Sequence, residues 1–133
     1  MKLHMDVIIE SFPIAGKFVI SRGSKTEANV VRVVLQCGDV AGHGECVPYA
    51  RYGESVASVV AQVEGIRAAL AAGITRRELQ SSLPAGAARN AVDCAFWDIE
   101  AKVSGVAAFS AAGFANPVAV TTAYKIGRAS CRE

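Results

Sequence analysis

No Lys/Arg cluster, no Cys-x-x-Cys pair, no internal repeat and no low-complexity linker occurs in the 133 residues, and each absence removes a class of function. The formal charge of +2 is spread along the chain, which leaves no electrostatic footprint for nucleic acid or an anionic membrane. The apolar stretch Val7–Ile9 is short and flanked by Asp6 and Glu10. It forms neither a secretory h-region nor a membrane span of about 20 residues, so a cytoplasmic location is the expectation. Cys37, Cys46, Cys94 and Cys131 are scattered without metal-ligand spacing. The first three read as small buried apolar residues rather than zinc ligands or disulfide partners. His43 has no second ligand at useful spacing and reads as an ordinary strand residue.

What is present is apolar: 52% of the residues are hydrophobic and 20% charged, a balance that folds around a core. The length suits one domain. From Lys2 to Cys46 the β-formers dominate, and strands are expected over Lys2–Ser11, Lys17–Ser21, Ala28–Cys37 and Val40–Cys46, with Gly38-Asp39 as a two-residue hairpin turn. The charged link Arg22–Glu27 is expected to be a loop. After Tyr49 the period changes. Val56, Val59, Val63, Ile66 and Leu70 recur at spacings of three and four, predicting a helix that Gly73 ends. Thr75-Arg-Arg-Glu78 matches a capping box at the start of a second helix. Pro84 suits the first turn of a third, alanine-rich helix with the stripe Ala88, Val92, Ala95, Ile99 and Val103, closed by Gly105. Its small side chains predict close packing against the sheet or the first helix. A further helical turn is expected within Val106–Ala112, and Pro117–Tyr124 reads as a strand without a partner. The fold class is therefore α+β, an antiparallel meander of three to four strands followed by a helical bundle.

Three segments carry a family resemblance: Phe18-Val-Ile-Ser-Arg-Gly-Ser-Lys25, Gly42-His-Gly-Glu-Cys-Val-Pro-Tyr-Ala-Arg-Tyr-Gly-Glu54 and Leu83-Pro-Ala-Gly-Ala-Ala-Arg-Asn-Ala-Val-Asp-Cys-Ala-Phe-Trp-Asp98. Together they resemble the dipeptide epimerase branch of the enolase superfamily, from about Met5 to Tyr124. The third segment is shared with muconate-lactonizing and mandelate-racemase-like members, and the first two discriminate better. The resemblance implies an amino-terminal capping domain at 1–113, followed at 114–124 by the orphan first strand of a truncated TIM-like (β/α) barrel. Members remove the proton α to a carboxylate and return it to the opposite face, using two barrel lysines and a magnesium ion held by three carboxylates. No Lys-x-Lys strand or spaced carboxylate triplet is present, so catalytic residues and metal ligands are expected in a missing barrel and the chain alone is expected to be inactive. The implied partners are a small dipeptide of the Ala-Glu type, the barrel itself and further copies in a homo-oligomer.

By the same resemblance Arg22 and Lys25 belong to a loop over the barrel mouth, where a cation can hold the side-chain carboxylate of a Glu-containing dipeptide. Two solvated charges on a polar turn are the equal alternative. Pro48–Glu54 corresponds to a second cap loop, with Tyr52 ahead of Tyr49 as a pocket wall, or with both rings simply anchoring the loop. Thr122, at the end of the first barrel strand, is a substrate-contact candidate that strand propensity also explains. Glu45 reads as a structural hydrogen-bonding group, and Arg89 is spaced to pair with Asp93 on the helix face shared with Asn90 and Trp97. Lys125–Glu133 breaks the family pattern, resembles a translated sequencing adapter and is expected to be non-native. Two rivals remain: the cap of another superfamily enzyme, such as a muconate cycloisomerase or an o-succinylbenzoate synthase, and a free-standing binding module.

Overall fold

The computed structural model describes residues 2–20 and 23–122. Its sheet is three-stranded and antiparallel in the order β1-β2-β3, with β1 His4–Ile20, β2 Gly23–Cys37 and β3 Val40–Cys46. The two strands expected before residue 22 are one. Pairing of β1 with β2 shifts register between Pro13 and Phe18 instead of breaking, and Gly16 sits there at φ +83°. Pro13 is tolerated because β1 is an edge strand, so its missing N–H leaves one side of the ladder intact. Residues Gly23–Glu27 of the expected loop are strand as well, paired against Pro13 and Phe18–Ile20. Their polarity reflects the position of this end of the ribbon, where they stand exposed. A pattern reading that equates strand with a buried face misses it. Arg22 lies outside the described residues.

Among the described residues five α-helices follow: α1 Val56–Gly65, α2 Arg67–Ala72, α3 Arg76–Ser82, α4 Ala87–Ser104 and α5 Ala108–Ala111. The single helix expected over Val56–Leu70 bends at Ile66, beside the weak helix former Gly65. There Arg67 turns to donate to the Met5 carbonyl while it pairs with Glu64 at 2.7 Å. The capping box at Thr75 is formed: Thr75 Oγ1 accepts from the Glu78 N–H at 3.2 Å, and Glu78 Oε2 accepts from the Thr75 N–H at 2.8 Å. Helix α4 starts at Ala87 with Gly86 as N-cap, which leaves Pro84 ahead of it rather than in its first turn. The described residues from Phe114 to Thr122 contain no strand. A parallel barrel strand needs neighbours on both sides to satisfy its backbone groups, and the segment has none among the described residues.

One core joins the sheet to the helices. Met5, Val31, Val33 and Leu35 on one sheet face pack with Val59, Val63, Leu70, Leu79, Ala91, Ala95, Phe96 and Ile99. Val103, expected to complete the α4 stripe, is exposed past the edge of the sheet. The close packing of the alanine-rich helix is met by glycines: a Cβ on Gly44 would lie 1.9 Å from the Ala91 carbonyl oxygen, and one on Gly42 2.5 Å from that of Ala95. Asp98 ties α4 to the β3 edge, accepting from the His43 N–H at 2.8 Å and from Lys102 Nζ at 2.6 Å. Burial pulls its carboxyl up, but the Lys102 ammonium and the His43 N–H outweigh burial and hold it below the usual range.

Several expected polar contacts are made differently. Glu45 makes no side-chain hydrogen bond among the described residues, because Arg32, its register neighbour, gives Nε and Nη2 to Glu10 at 2.9 and 3.2 Å. Arg89 donates to the Gln80 carbonyl at 3.0 Å instead of pairing with Asp93, which accepts from Gln80 Nε2 at 2.8 Å. Trp97 carries the Arg76 guanidinium 3.5 Å above its ring. Among the described residues no helix is long and apolar enough to cross a membrane.

Cys37, Cys46 and Cys94 are free thiols; Cys46 is buried, Cys37 half-buried and Cys94 exposed, so the core reading fails for Cys94. Burial, with the Glu54 carboxylate next in weight, pushes the Cys46 thiol up to about 11. In the unfolded chain this thiol ionises near its ordinary value of 9.0, so between pH 9 and 11 folding holds a proton that the unfolded state has lost. Stability is therefore expected to fall through that window. Denaturant titrations across it should show a shallower decline for Cys46→Ala, and equal slopes would refute the assignment.

Candidate functional site

The far end of the β1–β2 ribbon stands beside the segment that follows β3. On the ribbon Phe18 pairs with Lys25 across the strands. After Cys46 the chain runs through Pro48 into a single 3-10 turn, Ala50–Tyr52, closed by Gly53 at φ +74°. The turn is held internally by the Tyr52 N–H to the Tyr49 carbonyl at 2.9 Å and the Gly53 N–H to that of Ala50 at 3.0 Å. Between ribbon and turn lies an open cleft of about 550 Å³, lined by the side chains of Phe18, Lys25, Tyr49 and Arg51 with Gly23, Ser24 and Ala50. A second hollow of about 520 Å³ on the other side of the same junction includes Glu27, Asn29 and Glu54.

The two hollows share Ser24, Lys25 and Ala50, and the carboxylates Glu27 and Glu54 line the second. Lys25 Nζ lies 5.4 Å above the centroid of the Tyr49 ring, and Arg51 adds a guanidinium to the first cleft, which no carboxylate of the described residues lines. Neither cation forms an ion pair with another described residue. On the ribbon's flank, hydrogen bonds from Asn29 and then Ser11 hold the Glu27 carboxyl below its usual range, which fixes it as an anion outside the first cleft. A cleft that presents the Phe18 and Tyr49 rings with the Lys25 and Arg51 cations is suited to a small ligand that ends in an anionic group. No His, Cys, Asp or Glu of the described residues lines the cleft, so these residues hold and orient a ligand without supplying such a proton acceptor.

Of the residues singled out from the sequence, Lys25, Tyr49 and Tyr52 come together and Thr122 does not join them. Tyr49 is the ring that lines the cleft, whereas Tyr52 is 75% exposed and stacks behind it, with ring centroids 5.8 Å apart. Tyr49 precedes the turn in extended backbone, at φ −120° and ψ 110°, whereas Tyr52 is the last residue of the turn. Thr122 is exposed and lines neither hollow. Arg51 and Glu54 were missed; both stand in the same Gly42–Glu54 segment, and only the turn geometry shows which way each points. Among the described residues no three His, Cys, Asp or Glu side chains come together as a metal site, so the residues present do not fit a magnesium ion.

Residues 3–110 match the family model described as "Mandelate racemase / muconate lactonizing enzyme, N-terminal domain". The chain belongs to this family. Within it, the chain is 48% identical over 120 residues to the L-Ala-D/L-Glu epimerase of Escherichia coli strain K12, covering 90% of this chain and 37% of that protein. It also resembles a crystal structure of an enolase family member from Agrobacterium tumefaciens with homology to dipeptide epimerases, bound to sodium and L-Ala-L-Glu with an ordered loop. That likeness has a TM-score of 0.80 at 50% identity, over 82% of this chain and 33% of the other. A dipeptide epimerase from Methylococcus capsulatus, solved with magnesium and L-Arg-D-Lys, matches with a TM-score of 0.68 at 29% identity, over 79% of this chain and 33% of the other. The chain thus spans about a third of the length of these relatives. The three-stranded sheet and its helices are the N-terminal domain of this superfamily, and the relatives of the chain include dipeptide epimerases.

Proposed function

We propose that residues 1–113 are the substrate-selecting cap of a dipeptide epimerase, and that 114–124 open the barrel domain that carries its chemistry. Lys125–Glu133, outside the described residues, are read as a non-native tail. The observation that carries the reading is the cleft between two segments, with Lys25 and Arg51 on its wall and no carboxylate among its described lining residues. A dipeptide with an acidic side chain, of the Ala-Glu type, supplies the complementary anion. The 48% identical relative bears that activity in its name. Lys25 is assigned to the side-chain carboxylate, with Arg22 as its neighbour in sequence; Tyr52 and Thr122 stay assigned by family resemblance alone.

The chain's share of the reaction is binding, orientation and exclusion of water. Holding the substrate's remote carboxylate fixes its α-carbon relative to a base on another domain, and orientation of this kind is a large part of what a positioned base needs. The α-proton is weakly acidic, and a divalent cation in the companion domain would stabilise the charge that forms when it leaves. Exposed Phe12, Phe18, Val19, Tyr52 and Val47 at this end of the domain, and Ile9 at 59% exposure, are the surface such a companion would cover.

A hybrid tests the reading. Residues 1–122 replace the matching amino-terminal segment of the Escherichia coli epimerase, and exchange of the α-proton of L-Ala-L-Glu is followed in deuterated water. The hybrid is expected to exchange it, and the 133-residue chain alone to leave it untouched. A folded hybrid inactive on acidic dipeptides, or exchange by the isolated chain, would overturn the reading.

A further inference from the structure

We propose that Glu54 is a positioning residue that locks the aromatic turn of the cleft to the start of α4. Helix α4 lacks an ordinary cap: its N-cap is Gly86, and no side chain of that residue accepts the helix's first free N–H groups. Glu54, 33 positions earlier, does so instead, with Oε1 accepting from the Ala87 N–H at 2.7 Å. Its other oxygen, Oε2, accepts from the Tyr49 N–H at 3.0 Å. One carboxylate therefore joins the backbone of the residue under Lys25 to the longest helix of the domain, whose Ala88, Val92 and Phe96 are embedded in the core.

Two features show that the contact is built in. Gly86 stands at φ +155°, and a Cβ there would lie 2.8 Å from Glu54 Oε1, so the space the carboxylate occupies exists because residue 86 has no side chain. Among the described residues, the other backbone hydrogen bonds of the turn, from Tyr52, Gly53 and Glu54 N–H groups, are internal to Tyr49–Glu54. Glu54 is the hydrogen-bonded tie from the turn to the rest of the fold. A carboxylate at a helix N-terminus is also favoured by the helix dipole, which strengthens the tie without any cation.

The consequence is a division of labour. Glu54 stays out of the Lys25–Arg51 cleft, yet it sets where the Tyr49 ring lies, and that ring is the seat of the Lys25 ammonium. Removing the carboxylate frees the turn without altering the identity of any cleft-lining side chain. For catalysis, which rests on the proposed function above, this weakens capture of substrate rather than the chemical step.

Backbone amide exchange in the 133-residue chain tests the lock without any substrate. In Glu54→Ala, exchange at the Tyr49 and Ala87 amides should each accelerate about tenfold, while the amides of Phe96 and Ile99 keep their protection. Glu54→Gln, with one carbonyl oxygen in place of two carboxylate oxygens, should retain protection at one of the two sites and lose it at the other. Unchanged exchange at Tyr49 overturns the proposal, and so does parallel acceleration throughout α4, which would make Glu54 a mere support of the fold. In the hybrid enzyme, Glu54→Ala should raise KM for L-Ala-L-Glu about tenfold with kcat within about twofold. A fall in kcat at constant KM overturns the positioning role. An inactive parent hybrid sinks the functional reading alone, and the lock is then decided by the exchange data.

Discussion

Gly44→Ala is expected to unfold the domain or to cost more than about 3 kcal/mol of stability, the largest effect of any single methyl group in this fold. The added carbon would stand 1.9 Å from the Ala91 carbonyl oxygen, 2.6 Å from the Ala95 nitrogen and 3.0 Å from the Ala91 carbonyl carbon. All three are helix backbone, so no rotamer change relieves the overlap. Relief requires α4 to move away from β3, which opens the layer containing Val59, Val63 and Phe96 and forfeits contacts that depend on close approach. Gly65→Ala is the matched control: it is the last residue of α1, and an added Cβ would meet nothing within 4 Å. That variant should stay within about 1 kcal/mol of the parent, on either side. Urea denaturation of both decides the matter, and a Gly44→Ala protein as stable as the control would mean that sheet and helix are not in the contact described.

Charge reversal at Lys25 carries the second large effect. In the hybrid enzyme, Lys25→Glu should lower kcat/KM for L-Ala-L-Glu by about 100-fold, mainly through KM, because it replaces an attractive contact with a repulsive one in a cleft where no other described residue is a carboxylate. Arg51 remains on the wall and limits the loss, so Lys25→Glu combined with Arg51→Glu should fall further than either alone. Preference should move at the same time toward a dipeptide with a cationic side chain, tested with L-Ala-L-Lys. Lys25→Met, which keeps length and apolar contact with Tyr49 while removing the charge, should lie between wild type and Lys25→Glu. A change smaller than about threefold in Lys25→Glu would show that Lys25 is only a solvated charge on the ribbon.

Turns, caps and periodicities with a local cause were legible. Gly38-Asp39 joins β2 to β3 as read, the Thr75–Glu78 box starts α3, and Gly73 and Gly105 end α2 and α4. Each is decided by a few neighbouring residues, whose backbone preferences do not depend on the rest of the chain. The Gly23–Glu27 stretch of the β1–β2 ribbon was not legible as strand, since no hydrophobic alternation marks a strand end without a covered face. Nor was the swap of Arg89 from Asp93 to the carbonyl of Gln80, because helical spacing says which groups are near on one helix and nothing of a carbonyl on the helix before it.

The cleft shows the same division. Lys25 and the tyrosines were identified from sequence because they lie in segments whose residue order alone resembles a family. That Tyr49 and not Tyr52 faces Lys25, that Arg51 joins them, and that Glu54 reaches Ala87 were decided by tertiary structure. Sequence by itself determined the order of elements and the family, through local conformational preference and apolar spacing. Only the folded chain decided which side chains share the cleft, because Lys25, Tyr49 and Ala87 are far apart along the chain and meet through the packing of β3 against α4, where two glycines let strand and helix backbones approach.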